Sequence, residues 1–170
     1  MKAIILCAGR GTRLRPLTHT NAKHMIPIGN KPILFLVIEK IVEAGIKEIG
    51  IIVGETKNDI IEGVGDGSRW GIKVEYIEQK EPRGIADAVN LARSFVQNEP
   101  FLVYLGDNLL KDSLAPFIQK FEQEKPNCSL LLTRVDDPSR FGVAVLDDSG
   151  QVQKVVEKPK DFISDLDIVG

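Results

Sequence analysis

The fold of this 170-residue chain is decided by the stretch Ala3-Ile4-Ile5-Leu6-Cys7-Ala8-Gly9-Arg10-Gly11-Thr12-Arg13-Leu14-Arg15-Pro16. Its first five residues are continuously apolar, which is typical of a strand buried on both faces of a parallel sheet. A loop rich in glycine and arginine follows at once. Because ligands of such sheets bind beyond the carboxyl ends of the strands, this loop is the first candidate for a binding site.

Along the rest of the chain, apolar strands alternate with helical stretches. Apolar residues recur at helical spacing from Ile33 to Val42, with Pro32 as a helix starter and Gly45 as the stop. Repeated strand–helix units predict an α/β fold with a mainly parallel, right-handed sheet. Further strands are predicted over residues 48–53, 73–79, 101–105 and 128–135, and further helices over 58–64, 85–96 and 113–124.

The C-terminal part follows a different pattern. Gly142–Leu146 and Val152–Val156 flank the turn sequence Asp147-Asp148-Ser149-Gly150, which predicts an added antiparallel β-hairpin. The last residues, from Asp167 to Gly170, indicate the opening of a strand. We therefore expect residues 1–170 to form one domain that is incomplete at its C-terminus.

Composition argues against several classes of protein. Hydrophobic residues make up 43% and charged residues 27%, as in ordinary soluble proteins, and the net charge of −2 gives no indication of a nucleic-acid-binding face. The N-terminal apolar run is too short for a signal peptide or a membrane span, so no membrane association is expected. Cys7 and Cys128 form neither a CxxC metal pair nor a disulfide framework, which favours a reduced, cytoplasmic location.

The glycine- and arginine-rich loop is well matched to a triphosphate. Gly9 and Gly11 allow backbone N–H groups to approach an anion, and Arg10, Arg13 and Arg15 bring permanent charge and planar forks suited to phosphate oxygens. The competing interpretation is a solvated turn whose arginines face water.

Two familiar phosphate motifs do not fit this loop. A dinucleotide fingerprint needs a third glycine where Leu14 stands, which argues against a nicotinamide dehydrogenase. A Walker A sequence does not occur anywhere in the chain.

The loop resembles the signature loop of sugar-1-phosphate nucleotidylyltransferases, above all that of the glucose-1-phosphate thymidylyltransferase group. The resemblance implies a Rossmann-like, three-layer nucleotidyltransferase fold of the glycosyltransferase-A type. It extends over the whole chain through motifs in the same order and spacing, namely Ala22-Lys23-His24-Met25-Ile26-Pro27-Ile28, Asn30-Lys31-Pro32-Ile33, Gln79, Arg83-Gly84-Ile85-Ala86-Asp87-Ala88, Gly106-Asp107-Asn108, Phe141-Gly142-Val143 and Glu157-Lys158-Pro159.

The resemblance implies an enzyme in which a sugar-1-phosphate oxygen attacks the α-phosphorus of a nucleoside triphosphate and pyrophosphate leaves. The expected substrates are dTTP and glucose-1-phosphate. The attacking phosphate is mostly doubly ionised near pH 7, since its second pKa is about 6, so no serine, cysteine or histidine nucleophile is required. Positioning and charge neutralisation then do most of the catalytic work.

The same resemblance assigns roles to single residues. Arg13, Lys23, Asp107 and Lys158 are the expected catalytic residues, and Asp107 is the expected Mg²⁺ ligand, because Mg²⁺ favours carboxylate and phosphate oxygens. A second acidic metal ligand would lie well beyond Lys158. The expected nucleotide-binding residues are Ala8, Gly9, Gly11, Thr12, Arg13, Gln79, Gly84 and Asp107, and the expected sugar-phosphate-binding residues are Gly142, Glu157 and Lys158.

Several alternatives stay open. Asp107 could only cap its loop, Gln79 could be an ordinary polar residue at a strand end, and Lys23 and Lys158 could be surface lysines. His24 departs from the family pattern, in which proline or glutamine is frequent, and the proposed chemistry needs no base. For the whole protein the alternatives are an enzyme that uses UTP or GTP, or a catalytically inactive nucleotide-sensing relative. Assembly into a homo-oligomer is possible, and the sequence does not fix it.

Overall fold

The computed structural model describes residues 1–9, 11 and 22–169. The chain divides into two compact units, Met1–Glu124 and Lys125–Gly170.

A four-stranded parallel sheet forms the centre of the first unit. In spatial order its strands are β5 (Lys73–Glu78), β4 (Glu48–Val53), β1 (Lys2–Cys7) and β6 (Phe101–Leu105). The strands β4 and β5 extend to one side of β1, whereas β6 lies on the other side. The order therefore reverses between β1 and β6, and in open α/β sheets such a switch point is where ligands bind, beyond the carboxyl ends of the strands.

Helices cover both faces of this sheet. On one face, α1 (Ile33–Glu43), α2 (Lys57–Val64) and α5 (Ala115–Glu124) pack in one core with alternate residues of β1, such as Ile5. On the other face, α3 (Ile85–Leu91) and α4 (Arg93–Val96) pack against Ile4 and Ile52. Successive side chains of β1 are fully buried on opposite faces of the sheet, which explains why its sequence is continuously apolar. The two helical layers and the sheet between them confirm the expected three-layer fold.

The first unit differs from the prediction in one helix and contains one hairpin that was not predicted. The helix expected over residues 85–96 is divided at Ala92, whose backbone adopts a turn conformation with ψ of 4°. A small hairpin of β2 (Pro27–Ile28) and β3 (Lys31–Pro32), preceded by a 3-10 turn at Lys23–Met25, was not predicted. Its two strands have only two residues each, and both contain proline, so no alternating sequence pattern could predict them.

The second unit contains an antiparallel sheet. Its strands in spatial order are β7 (Leu132–Arg134), β10 (Leu166–Ile168), β8 (Gly142–Leu146) and β9 (Val152–Glu157). The predicted hairpin is β8–β9, and the Asp147 side chain fixes its turn by accepting hydrogen bonds from the backbone N–H groups of Ser149 and Gln151. The strand predicted over 128–135 is shorter than expected and pairs in this sheet instead of continuing the parallel one.

None of the described helices has the length and the apolar run that a membrane crossing requires.

Candidate functional site

A cavity of about 300 Å³ opens at the carboxyl end of the parallel sheet in the first unit. Gln79 follows β5 at one edge of the sheet, and Asp107 follows β6 at the other, so strand spacing separates them by roughly 14 Å. We call Gly9, Lys23 and Asp107 the ion-pair end, and Gln79, Gly84 and Ile85 the amide end. The remaining lining residues are Leu6, Ala8, Ile52, Pro82, Ala88 and Leu105.

The ion-pair end is built on a short contact between Lys23 and Asp107. Lys23 Nζ donates to Asp107 Oδ2 at 2.6 Å, and the exposed fractions of the two side chains are 18% and 37%. Burial alone would raise the pKa of Asp107, but the hydrogen bond and the charge of Lys23 hold it below its ordinary value. At neutral pH this end therefore carries an ionised carboxylate and an ammonium side by side.

The position of Lys23 follows from its neighbours. Ala22 and His24 are buried on either side of it, and the Ala22 N–H donates to Asp59 Oδ2 at 2.8 Å, in the first turn of α2. A methyl group on Gly9 would lie only 3.1 Å from Lys23 Nζ. The glycine thus allows the ammonium group to lie directly against the loop that follows β1.

The position of Asp107 depends on Gly106. The Gly106 N–H donates to the Leu6 carbonyl at 3.1 Å, which extends the pairing of β6 with β1. A Cβ at this position would overlap the Cys7 sulfur and lie 3.0 Å from His24 Cδ2. Only glycine fits, because the buried layer beneath the loop is already filled.

Cys7 and His24 form that buried layer, and neither is in a reactive state. Burial raises the pKa of the Cys7 thiol, so it stays protonated. Burial, and then the charge of Lys23, lower the pKa of His24 to about 4, so its ring is neutral at pH 7. Neither ring nitrogen of His24 has a hydrogen-bond partner among the described residues.

The amide end holds Gln79 in a fixed position. Gln79 is 6% exposed, and its backbone N–H donates to the Val53 carbonyl at 2.8 Å, beyond the last pair of β4 and β5. Its side-chain Nε2 donates to Asp87 Oδ2 at 2.8 Å and to the Gly84 carbonyl at 3.3 Å. Gly84 has φ of +103° and ψ of 177°, a conformation open essentially to glycine alone.

The second unit brings together the three residues expected to bind sugar phosphate. Gly142 and Glu157 are paired across β8 and β9, and Lys158 Nζ lies 3.3 Å from Glu157 Oε1. The Lys158 N–H donates to the Phe141 carbonyl at 2.8 Å, and Lys158 has φ of +46°, which is uncommon outside glycine. The positive φ therefore sets the direction of Lys158 at the point where β9 ends.

The acidic residues of the first unit permit a metal ion that is shared with a substrate. Among the described residues, no group of three or more histidine, cysteine, aspartate or glutamate side chains could hold a metal by itself. Mg²⁺ commonly takes one or two carboxylates and completes its shell with substrate phosphates and water. The ionised Asp107 fits that role, because it stands in the wall of an open cavity.

Two residues to which sequence reasoning assigned no role support the site from outside the cavity wall. Asp59 holds the backbone before Lys23, and Asp87 holds the Gln79 amide. The contact between the Ala22 N–H and Asp59 joins residues 37 positions apart and follows no sequence pattern, so it could not be predicted from the sequence. Of the predicted residues, Thr12 and Arg13 lie outside the described residues, and Gly11 is described with φ of +61°.

Comparison with known proteins gives a consistent result. A family described as "Nucleotidyl transferase" matches residues 2–167. The chain is 49% identical over 170 residues to a glucose-1-phosphate thymidylyltransferase of Streptomyces griseus, covering 100% of this chain and 48% of that protein. The chain thus spans about half the length of these curated relatives.

Two solved structures share the fold. A Bacillus anthracis protein in complex with a sucrose, provisionally assigned as a glucose-1-phosphate thymidylyltransferase, superposes with a TM-score of 0.95 at 36% identity, covering 100% of this chain and 69% of that one. A UDP-glucose pyrophosphorylase complexed with UDP-glucose superposes with a TM-score of 0.85 at 26% identity, covering 99% of this chain and 74% of that one.

Proposed function

Since the chain belongs to the nucleotidyl transferase family, we propose that the protein is an enzyme that transfers a nucleotidyl group from a nucleoside triphosphate to a sugar-1-phosphate and releases pyrophosphate. The proposed substrates are dTTP and glucose-1-phosphate. The observation that carries the proposal is the cavity with the Lys23–Asp107 ion pair at one end and the buried Gln79 amide at the other. A nucleoside triphosphate has the matching polarity, with charged phosphates at one end and a flat base at the other.

At the ion-pair end, the chain's own residues would bind and orient the triphosphate. The backbone around Gly9 and Gly11 and the side chains of Thr12 and Arg13 hold the phosphates, with Arg13 stabilising charge on the departing pyrophosphate. Lys23, poised beside Gly9, neutralises charge at the α-phosphate. Asp107 fixes the Lys23 ammonium and would hold Mg²⁺, which supplies further charge neutralisation on the phosphate oxygens.

The acceptor would be bound by Gly142, Glu157 and Lys158. The Lys158 ammonium suits the sugar phosphate, and the Glu157 carboxylate suits sugar hydroxyl groups. Because that phosphate is already ionised near pH 7, no side chain has to remove a proton from it. The reaction is then an in-line displacement at the α-phosphorus that depends on alignment and charge.

The base would be bound at the amide end by Gln79 and Gly84. The Streptomyces griseus relative is named for thymidylyl transfer, which favours dTTP, and the solved UDP-glucose pyrophosphorylase makes UTP the nearest rival.

The test is pyrophosphate release by the full-length gene product. Release should require a divalent metal ion, a nucleoside triphosphate and a sugar-1-phosphate together, and dTTP with glucose-1-phosphate should be the best pair. Absence of turnover with every pair would overturn the proposal, and metal-dependent nucleotide binding without turnover would favour the nucleotide-sensing alternative.

A pair of lysine variants locates the activity in this cavity. Lys23→Ala should lower kcat about 10²-fold or more, because it removes a cation that acts on the reacting phosphates. Lys57→Ala is the matched control, because Lys57 forms a partly exposed ion pair with Glu78 at 3.0 Å and does not line the cavity. Equal activity of the two variants would remove Lys23 from the mechanism.

A further inference from the structure

We propose that Asp87 is a positioning residue that determines base specificity, because it locks the Gln79 amide in one orientation. In that orientation the site offers a hydrogen-bond acceptor to the base. The inference rests on the proposed function and identifies the class of base that the amide end selects.

The orientation of the amide follows from the chemistry of its two partners. A glutamine side chain ends in an oxygen that accepts hydrogen bonds and a nitrogen that donates two. Both partners of Gln79, the Asp87 carboxylate at 2.8 Å and the Gly84 carbonyl at 3.3 Å, are acceptors. The NH₂ group must therefore face them, whereas turning the amide over would place its oxygen against two other oxygens.

The amide oxygen of Gln79 is then the side-chain atom that can accept a hydrogen bond from a ligand. Gln79 lines the cavity although it is only 6% exposed, and both of its side-chain hydrogen bonds to described residues are made by Nε2 and not by Oε1. On the Gln79 side of the cavity, apolar Ile85 and Ile52 of the neighbouring strand β4 also line the wall. In such surroundings a mismatched polar contact is costly, since neither group can turn to water instead.

An acceptor at this place divides the bases into two classes. Thymine and uracil carry an N–H at N3, and guanine carries one at N1, so each can donate to Oε1. Cytosine at N3 and adenine at N1 present a lone pair to the same atom and would be rejected. Asp87 thus selects bases with a ring N–H, without touching the base itself.

Asp87 also has a simpler, structural role, and the test must distinguish that role from its effect on base specificity. It is the acidic residue in the first turn of α3, where a negative charge favours the helix. That role would change stability and leave base preference unaltered. The readout must therefore be a ratio between two nucleotides, measured on one variant.

The experiment compares dTTP with dCTP on the full-length protein, by kcat/KM for pyrophosphate release and by calorimetric binding without sugar phosphate. Asp87→Ala should reduce the preference for dTTP about tenfold, mainly through KM, because the amide becomes free to turn over. Asp87→Asn should keep the preference, because its side-chain oxygen can still accept from Gln79. Asn90→Ala is the matched control, since Asn90 is exposed on the same helix and does not line the cavity.

Each outcome decides between the alternatives. An unchanged dTTP-to-dCTP ratio in a folded Asp87→Ala protein overturns the inference. If Asp87→Ala does not fold, Asp87→Ser keeps a polar residue at the helix start with a side chain too short to hold the amide, and an unchanged ratio there is equally decisive. A wild-type protein without turnover would overturn the proposed function instead, and the binding ratio would still test Asp87.

Discussion

The ion-pair end and the amide end of the cavity fix their polar groups by different means. At the ion-pair end, two opposite charges hold each other at 2.6 Å while Asp107 keeps 37% of its side chain exposed. At the amide end, a neutral group that is 6% exposed is held by two neighbouring oxygens. A partly exposed ion pair can exchange partners with a phosphate, whereas a buried amide must keep its hydrogen bonds at all times.

The difference separates two tasks. Partners that can be exchanged suit a region where charge moves during a reaction, and permanent hydrogen bonds suit a region that has to distinguish one ligand from another. Substitutions at the ion-pair end should therefore lower turnover and leave base preference unchanged. Substitutions of the residue that holds the Gln79 amide should alter base preference and have little effect on turnover.

The largest effect is expected from Asp107→Asn. The substitution keeps the shape of the side chain but removes the charge that binds Lys23 and that would hold a metal ion. Pyrophosphate release should fall about 10³-fold, while the ratio of dTTP to dCTP binding stays the same.

Asp112→Asn is the control for that experiment, because Asp112 lies five positions further along the chain, is exposed and does not line the cavity. A change in base preference in Asp107→Asn would contradict the separation of the two ends. Retained turnover would show that Asp107 only caps its loop.

A smaller effect, on stability, is expected from the buried layer beneath the ion-pair end. The pKa of His24 is lowered from 6.5 to about 4 in the folded protein, so between these values the unfolded chain binds a proton that the folded one does not. The contribution of His24 to the free energy of unfolding should be fully present above pH 6.5 and should be lost, by roughly 1 kcal/mol per pH unit, as the pH drops toward 4. Urea unfolding at pH 7.5 and pH 5 measures this loss.

His24→Leu sharpens that measurement. The side chain has no exposed surface, and its ring nitrogens have no hydrogen-bond partner among the described residues, so an apolar residue of similar size should cost little at pH 7.5. The variant should lose much less stability than the natural protein between pH 7.5 and pH 5. An equal loss in both proteins would assign the pH dependence to other groups.

The sequence predicted the parallel layer well, because its signals are local. The apolar run 3–7 and the spacing of Ile33 to Val42 correspond to β1 and α1, since burial on both sheet faces and helical periodicity are written in consecutive residues. The break at Ala92 could not be predicted, because the segment contains neither glycine nor proline there. Strand β7 pairs with β10, which lies some thirty residues further along the chain, so its place in the antiparallel sheet was equally hidden.

The candidate site shows the same limit. Gly9, Lys23, Asp107 and Gln79 belong to motifs and could be proposed from the sequence. Asp59 and Asp87, which support them, act through contacts between separate elements. Asp87 belongs to the motif at residues 83–88, but the motif gives it no role, and both carboxylates look like ordinary acidic residues in the first turn of a helix. Only the fold shows that these carboxylates accept hydrogen bonds from the site.

The smallest effect is expected from Asp59, which acts on the ion-pair end from a distance. Asp59→Ala leaves the buried Ala22 N–H without its acceptor at 2.8 Å, which should cost about 1 kcal/mol of stability and lower kcat severalfold as Lys23 loses its fixed position. Asp59→Asn still offers an oxygen to that N–H and should restore both properties. Chemical denaturation and pyrophosphate release, measured on the two variants together, test this. If Asp59→Ala lost stability but kept full turnover, Lys23 would be positioned by Asp107 and Gly9 alone, and the ion-pair end would depend on the cavity wall rather than on the helix behind it.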